Sequence, residues 1–136
     1  MMVYVLDSSA LLRFVDDEGG ADRVEQILSA CAGRHAELRI SAVQWGEVAG
    51  WVRKRLGDAG QLRVLSGILP SEANIVAASA DRAVRAANLK VDRSMGYADA
   101  FALELAMDSP GCILVTADYG FKSVADLAQI EFLPLK

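Results

Sequence analysis

The sequence predicts an α/β fold with a parallel sheet covered by helices on both faces, and three observations carry that prediction. The strand-like runs Val3 to Leu6, Leu38 to Ile40 and Cys112 to Thr116 are apolar nearly throughout instead of alternating, as strands buried on both faces are. Segments of helical period lie between them, such as Ala21 to Cys31, where Val24, Ile27, Leu28 and Cys31 share a stripe. The 136 residues, 53% of them hydrophobic, suffice for one domain spanning 1–136, and no repeat or linker divides it.

Taken in order, the first strand leads into Asp7, Ser8 and Ser9, each a competent N-cap for a helix beginning near Ala10. Gly19 and Gly20 break the pattern before the Ala21 helix. After the second strand, Ser41 with Gln44 three residues on has the spacing of a capping box, opening a helix from Ala42 to about Leu56 that Gly57 and Gly60 end. Leu62 to Leu69 is helical in pattern until Pro70, Ile75 to Ala77 reads as a brief strand, and Asp81 as the cap of a helix over Arg82 to Leu89. Ser94 is expected to cap the next helix, which Pro110 and Gly111 end. A turn at Asp118 to Gly120 and a short helix near Ser123 to Ala128 then precede a last strand, Glu131 to Leu133.

Composition narrows the function. No apolar run approaches the roughly 18 residues of a membrane span, and no basic segment precedes Val3 as in a secretory leader. A cytoplasmic location is therefore expected. Cys31 and Cys112 lack any paired or zinc-like spacing and read as small buried hydrophobes, and His35 stands beside Arg34 in a polar loop with no nucleophile motif. A net charge of −4 argues against broad affinity for nucleic acid. The excess equals four particular acids, however, so with divalent cations bound to them the remaining surface is near neutral.

Those acids are Asp7, Glu47, Asp99 and Asp118. Asp99 lies in the most apolar helical stretch, Ala98 to Met107, on the stripe of Ala102, Leu103 and Ala106, while Glu104 and Asp108 fall opposite. A carboxylate facing a core needs a partner or a metal. Asp7 and Asp118 follow strands, and Glu47 lies on the helix after the second strand, on the flank of its apolar side. Parallel sheets bind ligands beyond the carboxyl ends of their strands, so connectivity brings these acids to one edge. Four carboxylates without His or Cys make a hard oxygen site suited to Mg²⁺ or Mn²⁺. At separations near 5 Å each pair repels by roughly 3 kcal/mol at an effective dielectric of about 20. A divalent ion relieves that repulsion and supports phosphodiester hydrolysis. Ser8 and Thr116 are candidate supporting hydroxyls. Arg13, Arg53, Lys54, Arg93 and Lys122 are candidate phosphate contacts on charge alone, and Trp45 and Trp51 serve either base stacking or packing.

The order of these motifs resembles the PIN domain family, and within it the VapC-like ribonuclease toxins. The resemblance rests on Val5-Leu6-Asp7-Ser8-Ser9-Ala10-Leu11-Leu12, on Ile40-Ser41-Ala42-Val43 leading to Glu47-Val48, on Gly96-Tyr97-Ala98-Asp99-Ala100, and on Leu114-Val115-Thr116-Ala117-Asp118 with Phe121. It implies a three-layer α/β/α sandwich with a central parallel sheet of about five short strands. It also implies a Mg²⁺- or Mn²⁺-dependent endoribonuclease with Asp7, Glu47, Asp99 and Asp118 as its acidic quartet, Asp7 and Asp99 being direct ligands. A homodimer inhibited by a small antitoxin protein follows from the same resemblance. Tyr97 and Ser8 depart from the family pattern, which has smaller residues and Thr there; neither removes a carboxylate.

Three other readings compete. A non-catalytic PIN-like binding module keeps the fold without the reaction. Another Mg²⁺-dependent phosphohydrolase on a doubly wound sheet needs either a second Asp two residues after Asp7, where Ser9 stands, or acids before it, where Val3 to Leu6 stand. A DNA nuclease shares the chemistry and differs in substrate alone.

Overall fold

The structure, a computed structural model, describes residues 1–68 and 73–135, so the expected helix end at Leu69 and Pro70 lies outside the described residues. The chain runs β1 (Met2–Leu6), α1 (Ser8–Val15), α2 (Ala21–Ala32), β2 (Ala36–Ser41), α3 (Ala42–Ile68), β3 (Ala73–Val76), α4 (Ala80–Arg93) and α5 (Tyr97–Ala106). It closes with β4 (Cys112–Thr116), a 3-10 helix (Tyr119–Val124) and β5 (Gln129–Phe132). Five parallel strands form one sheet in the order β3-β2-β1-β4-β5. Sheet and flanking helices make the three-layer α/β/α sandwich.

Apolar strands work here because successive residues feed opposite cores. Leu6, Ile113 and Val115 face Leu11, Val24, Ile27 and Val48 on the side of α1, α2 and α3. Val5 and Leu114 face Leu103, Ala106 and Phe121 on the other. Among the described strand residues only Met2, Asn74 and Gln129 are exposed, so little solvent face is left to reward alternation. Cys31 and Cys112 are free and buried.

Several boundaries differ from those expected, each for a local reason. Gly57, at φ 72° and ψ −170°, turns α3 sharply, but the helix resumes at once, so Gly60 lies inside a second arm. Gln61 ties the arms together by donating to the Ala49 carbonyl at 2.9 Å. Ser79 replaces Asp81 as the cap of α4, accepting from the Arg82 N–H. Ser94 closes α4 in the left-handed conformation instead of opening α5, whose N-cap is Gly96. The segment after Asp118 is a 3-10 helix ending at Val124, not a helix over Ser123 to Ala128.

Glu104 also departs from expectation. Helical period sets it on the polar side of α5, yet α4 covers that side and leaves it 4% exposed. Arg82 and Arg85 both donate to its carboxylate, at 2.9 Å each, and Arg82 reaches Asp108 as well. A buried charge held this way is compensated by its partners. The result is a helix buried around most of its circumference, which fixes its first turn against the sheet edge.

Gly20 enters α2 with φ 91°, and a Cβ there would stand 2.8 Å from Cβ of the buried Leu133. Gly20→Ala combines left-handed backbone strain with overpacking. It is expected to lower the unfolding free energy by about 2 kcal/mol, read from the denaturation midpoint at unchanged slope.

Candidate functional site

The strand order reverses between β1 and β4, and the chain leaves those neighbouring strands into Asp7 and toward Asp118. Such a switch point opens a crevice at the carboxyl edge of the sheet. Asp7 sits at its base, 2% exposed, and serves as the N-cap of α1. Its Oδ1 accepts from the Ala10 N–H at 2.9 Å and the Ser9 hydroxyl at 2.7 Å, and its Oδ2 from the Thr116 hydroxyl at 2.6 Å. Thr116 Oγ1 in turn accepts the Asp118 N–H at 2.9 Å. One hydroxyl at the end of β4 thus orients two of the four acids.

Burial pushes the Asp7 carboxyl up to about 6, against the lowering effect of hydrogen bonds from Thr116, Ala10 and Ser9, with the charge of Asp99 adding to the rise. Asp99, half-buried in the first turn of α5, is also held above the usual carboxylate range, first by burial and then by the charges of Asp118 and Glu47. Asp99 is therefore the hub through which all four acids act on one another. Glu47 and Asp118 are exposed at the rim. Asp118 caps the 3-10 helix, its Oδ1 accepting the Gly120 N–H at 2.8 Å.

Among the described residues no three ligating side chains converge into a coordination sphere, so as placed the acids interact by charge. Charge acts over longer distances than coordination, and the two observations agree on that basis. The donor set suits a hard divalent cation: oxygen atoms alone, two of the four acids raised in pKa, and mutual repulsion that added positive charge relieves.

Sequence reasoning named Ser8 but not Ser9 as a supporting hydroxyl, and read Gln44 as a cap. Ser8 contributes its backbone N–H, whereas Ser9 supplies the hydroxyl, donating to Asp7 and accepting the Ala117 N–H at 2.9 Å. Gln44, read as half of a capping box, is fully buried and reaches across the site. Its Oε1 accepts the Ser8 N–H and its Nε2 donates to the Ala98 carbonyl, both at 2.6 Å, while Ser41 caps the Val43 N–H alone. This amide braces the start of α1 against the start of α5. The available signal was a Gln one helical turn before Glu47, on the face turned toward the sheet.

The candidate phosphate contacts scatter. Arg13 clamps the Gly19, Pro134 and Leu135 carbonyls at the other end of α1, and Arg53 pairs with Asp58 beside an exposed Lys54. Lys122 lies on the 3-10 helix after Asp118, its ammonium 5.0 Å from the Tyr119 ring centre, and Arg93 binds the same segment through Asp126 and the Ser123 carbonyl. Those two stand nearest the acids along the fold. Trp45 packs against the core, and Trp51 is 5.5 Å from the Arg55 guanidinium. No helix among the described residues is long and apolar enough to cross a membrane.

The family model of the PIN domain matches residues 4–127. Solved structures share the fold at low identity. A VapBC complex of Rickettsia felis bound to a promoter DNA fragment aligns with a TM-score of 0.77 at 20% identity, covering 98% of this chain and 100% of that one. A toxin–antitoxin complex of Klebsiella pneumoniae gives 0.69 at 22%, covering 94% and 95%. A Mycobacterium tuberculosis VapC toxin that cleaves the sarcin-ricin loop gives 0.67 at 15%, covering 96% and 99%. No curated protein matches by sequence.

Two predictions follow from the geometry. Because the folded-state pKa of Asp7 lies above its value of 3.8 in the open chain, protonation favours folding. That contribution, about 3 kcal/mol, is complete below pH 4 and lost as the pH rises through 6. In chelator, Asp7→Asn is expected to gain stability relative to wild type between pH 4 and 7.5, as measured by urea unfolding at each pH. Gln44→Ala strands the Ser8 N–H and the Ala98 carbonyl in the interior, and a loss of about 3 kcal/mol is expected in the same assay.

Proposed function

Because the chain belongs to the PIN domain family, we propose that it is a Mg²⁺- or Mn²⁺-dependent endoribonuclease, the toxin of a toxin–antitoxin pair. The observation that carries the reading is Asp99 at the centre of a repelling carboxylate group, on a helix held fast on its other sides. Toxin–antitoxin complexes among the structural neighbours support the biological role, and a neighbour that cleaves an RNA loop supports RNA as substrate.

In this reading Asp7 and Asp99 hold the cation, while Glu47 and Asp118 at the rim share in holding it or orient the attacking water. Once bound, the divalent ion supplies positive charge to the phosphoryl oxygens and lowers the pKa of water. The Ser9 and Thr116 hydroxyls keep the Asp7 carboxylate aimed without neutralising it. Gln44 keeps Asp7 and Asp99 in register by fixing the helices that carry them. In hydrolysis the water oxygen bonds to phosphorus, the phosphorus bond to the leaving ribose oxygen breaks, and that oxygen takes up a proton. A small antitoxin and a second copy of the chain are the protein partners of this reading, in the cytoplasm.

The test is cleavage of mixed single-stranded and structured RNAs with Mg²⁺, Mn²⁺ or chelator by wild type and Asp99→Asn. Metal-dependent cutting that falls at least about 100-fold in Asp99→Asn, with the fold retained, is expected. Saturating metal at about 100 times its Kd should also stabilise wild type by about 2.7 kcal/mol. If wild type cuts no RNA and metal leaves its Tm unchanged, catalysis is ruled out and a binding module takes its place.

A further inference from the structure

Beside the acids, the turn between α4 and α5 and the 3-10 helix enclose a cleft of about 190 Å³. Asp99 forms one wall, Met95, Phe121 and Val124 give an apolar floor, and Ser94 and Ser123 stand on the rim. The volume equals that of about six molecules of liquid water. It falls short of the roughly 300 Å³ at which pockets for drug-sized ligands begin. It suits one planar ring better than a whole nucleotide. Larger hollows elsewhere avoid the acids, one at the far end of α5 beside Glu104 and Met107, another between α1 and α3 beside Trp51.

Three details fit the cleft to a ligand. Gly96 has φ −65° and ψ 146°, angles any residue adopts, so its backbone does not demand glycine. A Cβ there would stand in ordinary contact with Asp99, 3.5 Å from its Oδ2, so the glycine leaves room for a carbon beside that carboxylate. The Ser94 hydroxyl, on a residue held at φ 54°, has no partner among the described residues. Lys122 holds positive charge along the 3-10 side, whereas Arg93 there is paired with Asp126.

We propose that this cleft is a subsite for one unstacked nucleobase adjoining the scissile phosphate. The proposal rests on the ribonuclease reading above. The apolar floor takes the face of the ring, the Ser94 hydroxyl meets its edge, and Asp99 lies between this base and the bond to be cut. A paired base cannot enter, so the substrate at this position is single-stranded RNA or a loop whose base has swung out. The fold thereby couples cleavage to a preference at one nucleotide position.

The experiment compares wild type with Gly96→Leu, which fills the cleft without removing a polar group. Cleavage sites are mapped on single-stranded RNA, and oligonucleotides are then made with one abasic residue at each position flanking the cut. At one position the abasic residue is expected to slow wild type about ten-fold or more. Gly96→Leu should cut the intact RNA slower by a similar factor and lose nothing further on the abasic one. Ser123→Leu, filling the cleft from the opposite rim, carries the same comparison if Gly96→Leu fails to fold by circular dichroism. Equal abasic penalties in wild type and filled variants, or no penalty at any position, overturn the subsite and leave the ribonuclease reading intact. A wild type inert on every RNA overturns both.

Discussion

The Asp7 carboxylate, buried where β1, α1 and β4 meet, is the constraint on which the rest of the site depends. An ionised carboxylate at that depth costs several kcal/mol unless donors surround it, and here Thr116, Ser9 and the Ala10 amide do so. The donors come from two pieces of architecture, the end of β4 and the first turn of α1. Compensating one charge therefore ties β4 to α1, the helix that follows the neighbouring strand β1. Even so, burial keeps the Asp7 carboxyl well above its ordinary value, at about 6.

Asp99 reaches the same edge by a different route. Its helix is buried around most of its circumference, with the sheet on one side and α4, through the Arg82–Glu104–Arg85 cluster, on another. Gln44 then fixes the Ala98 carbonyl, one residue before Asp99, to the Ser8 amide, one residue after Asp7. Two carboxylates that repel one another are thus carried on backbones that cannot retreat. A neutral amide is suited to this brace because it carries an acceptor and a donor at one end without adding charge to an acidic site.

How much of this was legible follows from where the signal lies. Apolar strand runs and their spacing gave the parallel sheet, because burial on both faces leaves a pattern in each strand. The four acids stood out because three follow strand ends and one sits on an apolar helical stripe. Boundaries governed by a single cap were less legible. Ser79 and Asp81 are both good caps on paper, and so are Ser41 with Gln44; only the packing of α4 and the burial of Gln44 decide between them. Glu104 misled for the same reason, since a sequence does not announce that a second helix will cover the polar side of the first. Ser8 and Ser9 differ in which way the first turn of α1 points them, and the groups that meet the Ser9 hydroxyl, Thr116 and Ala117, come from far along the chain.

The surface charges add a constraint on any polyanionic substrate. Arg23, Arg39, Arg53, Arg55, Arg82 and Arg93 are engaged with carboxylates, and Arg13 with carbonyls. Exposed pairs such as Arg53 with Asp58 add little stability, but they cancel the long-range field that would draw a phosphate chain in. With a net charge of −4, affinity cannot come from a general basic face. In the ribonuclease reading proposed above it arises locally, from cations at the acidic edge, from Lys122 beside it, and from contacts with the bases. Such an interface releases few counterions, so its binding weakens less with salt than that of a basic nucleic-acid protein. Selectivity then rests on what the crevice admits, which is why the shape of the space beside Asp99 matters as much as the charge within it.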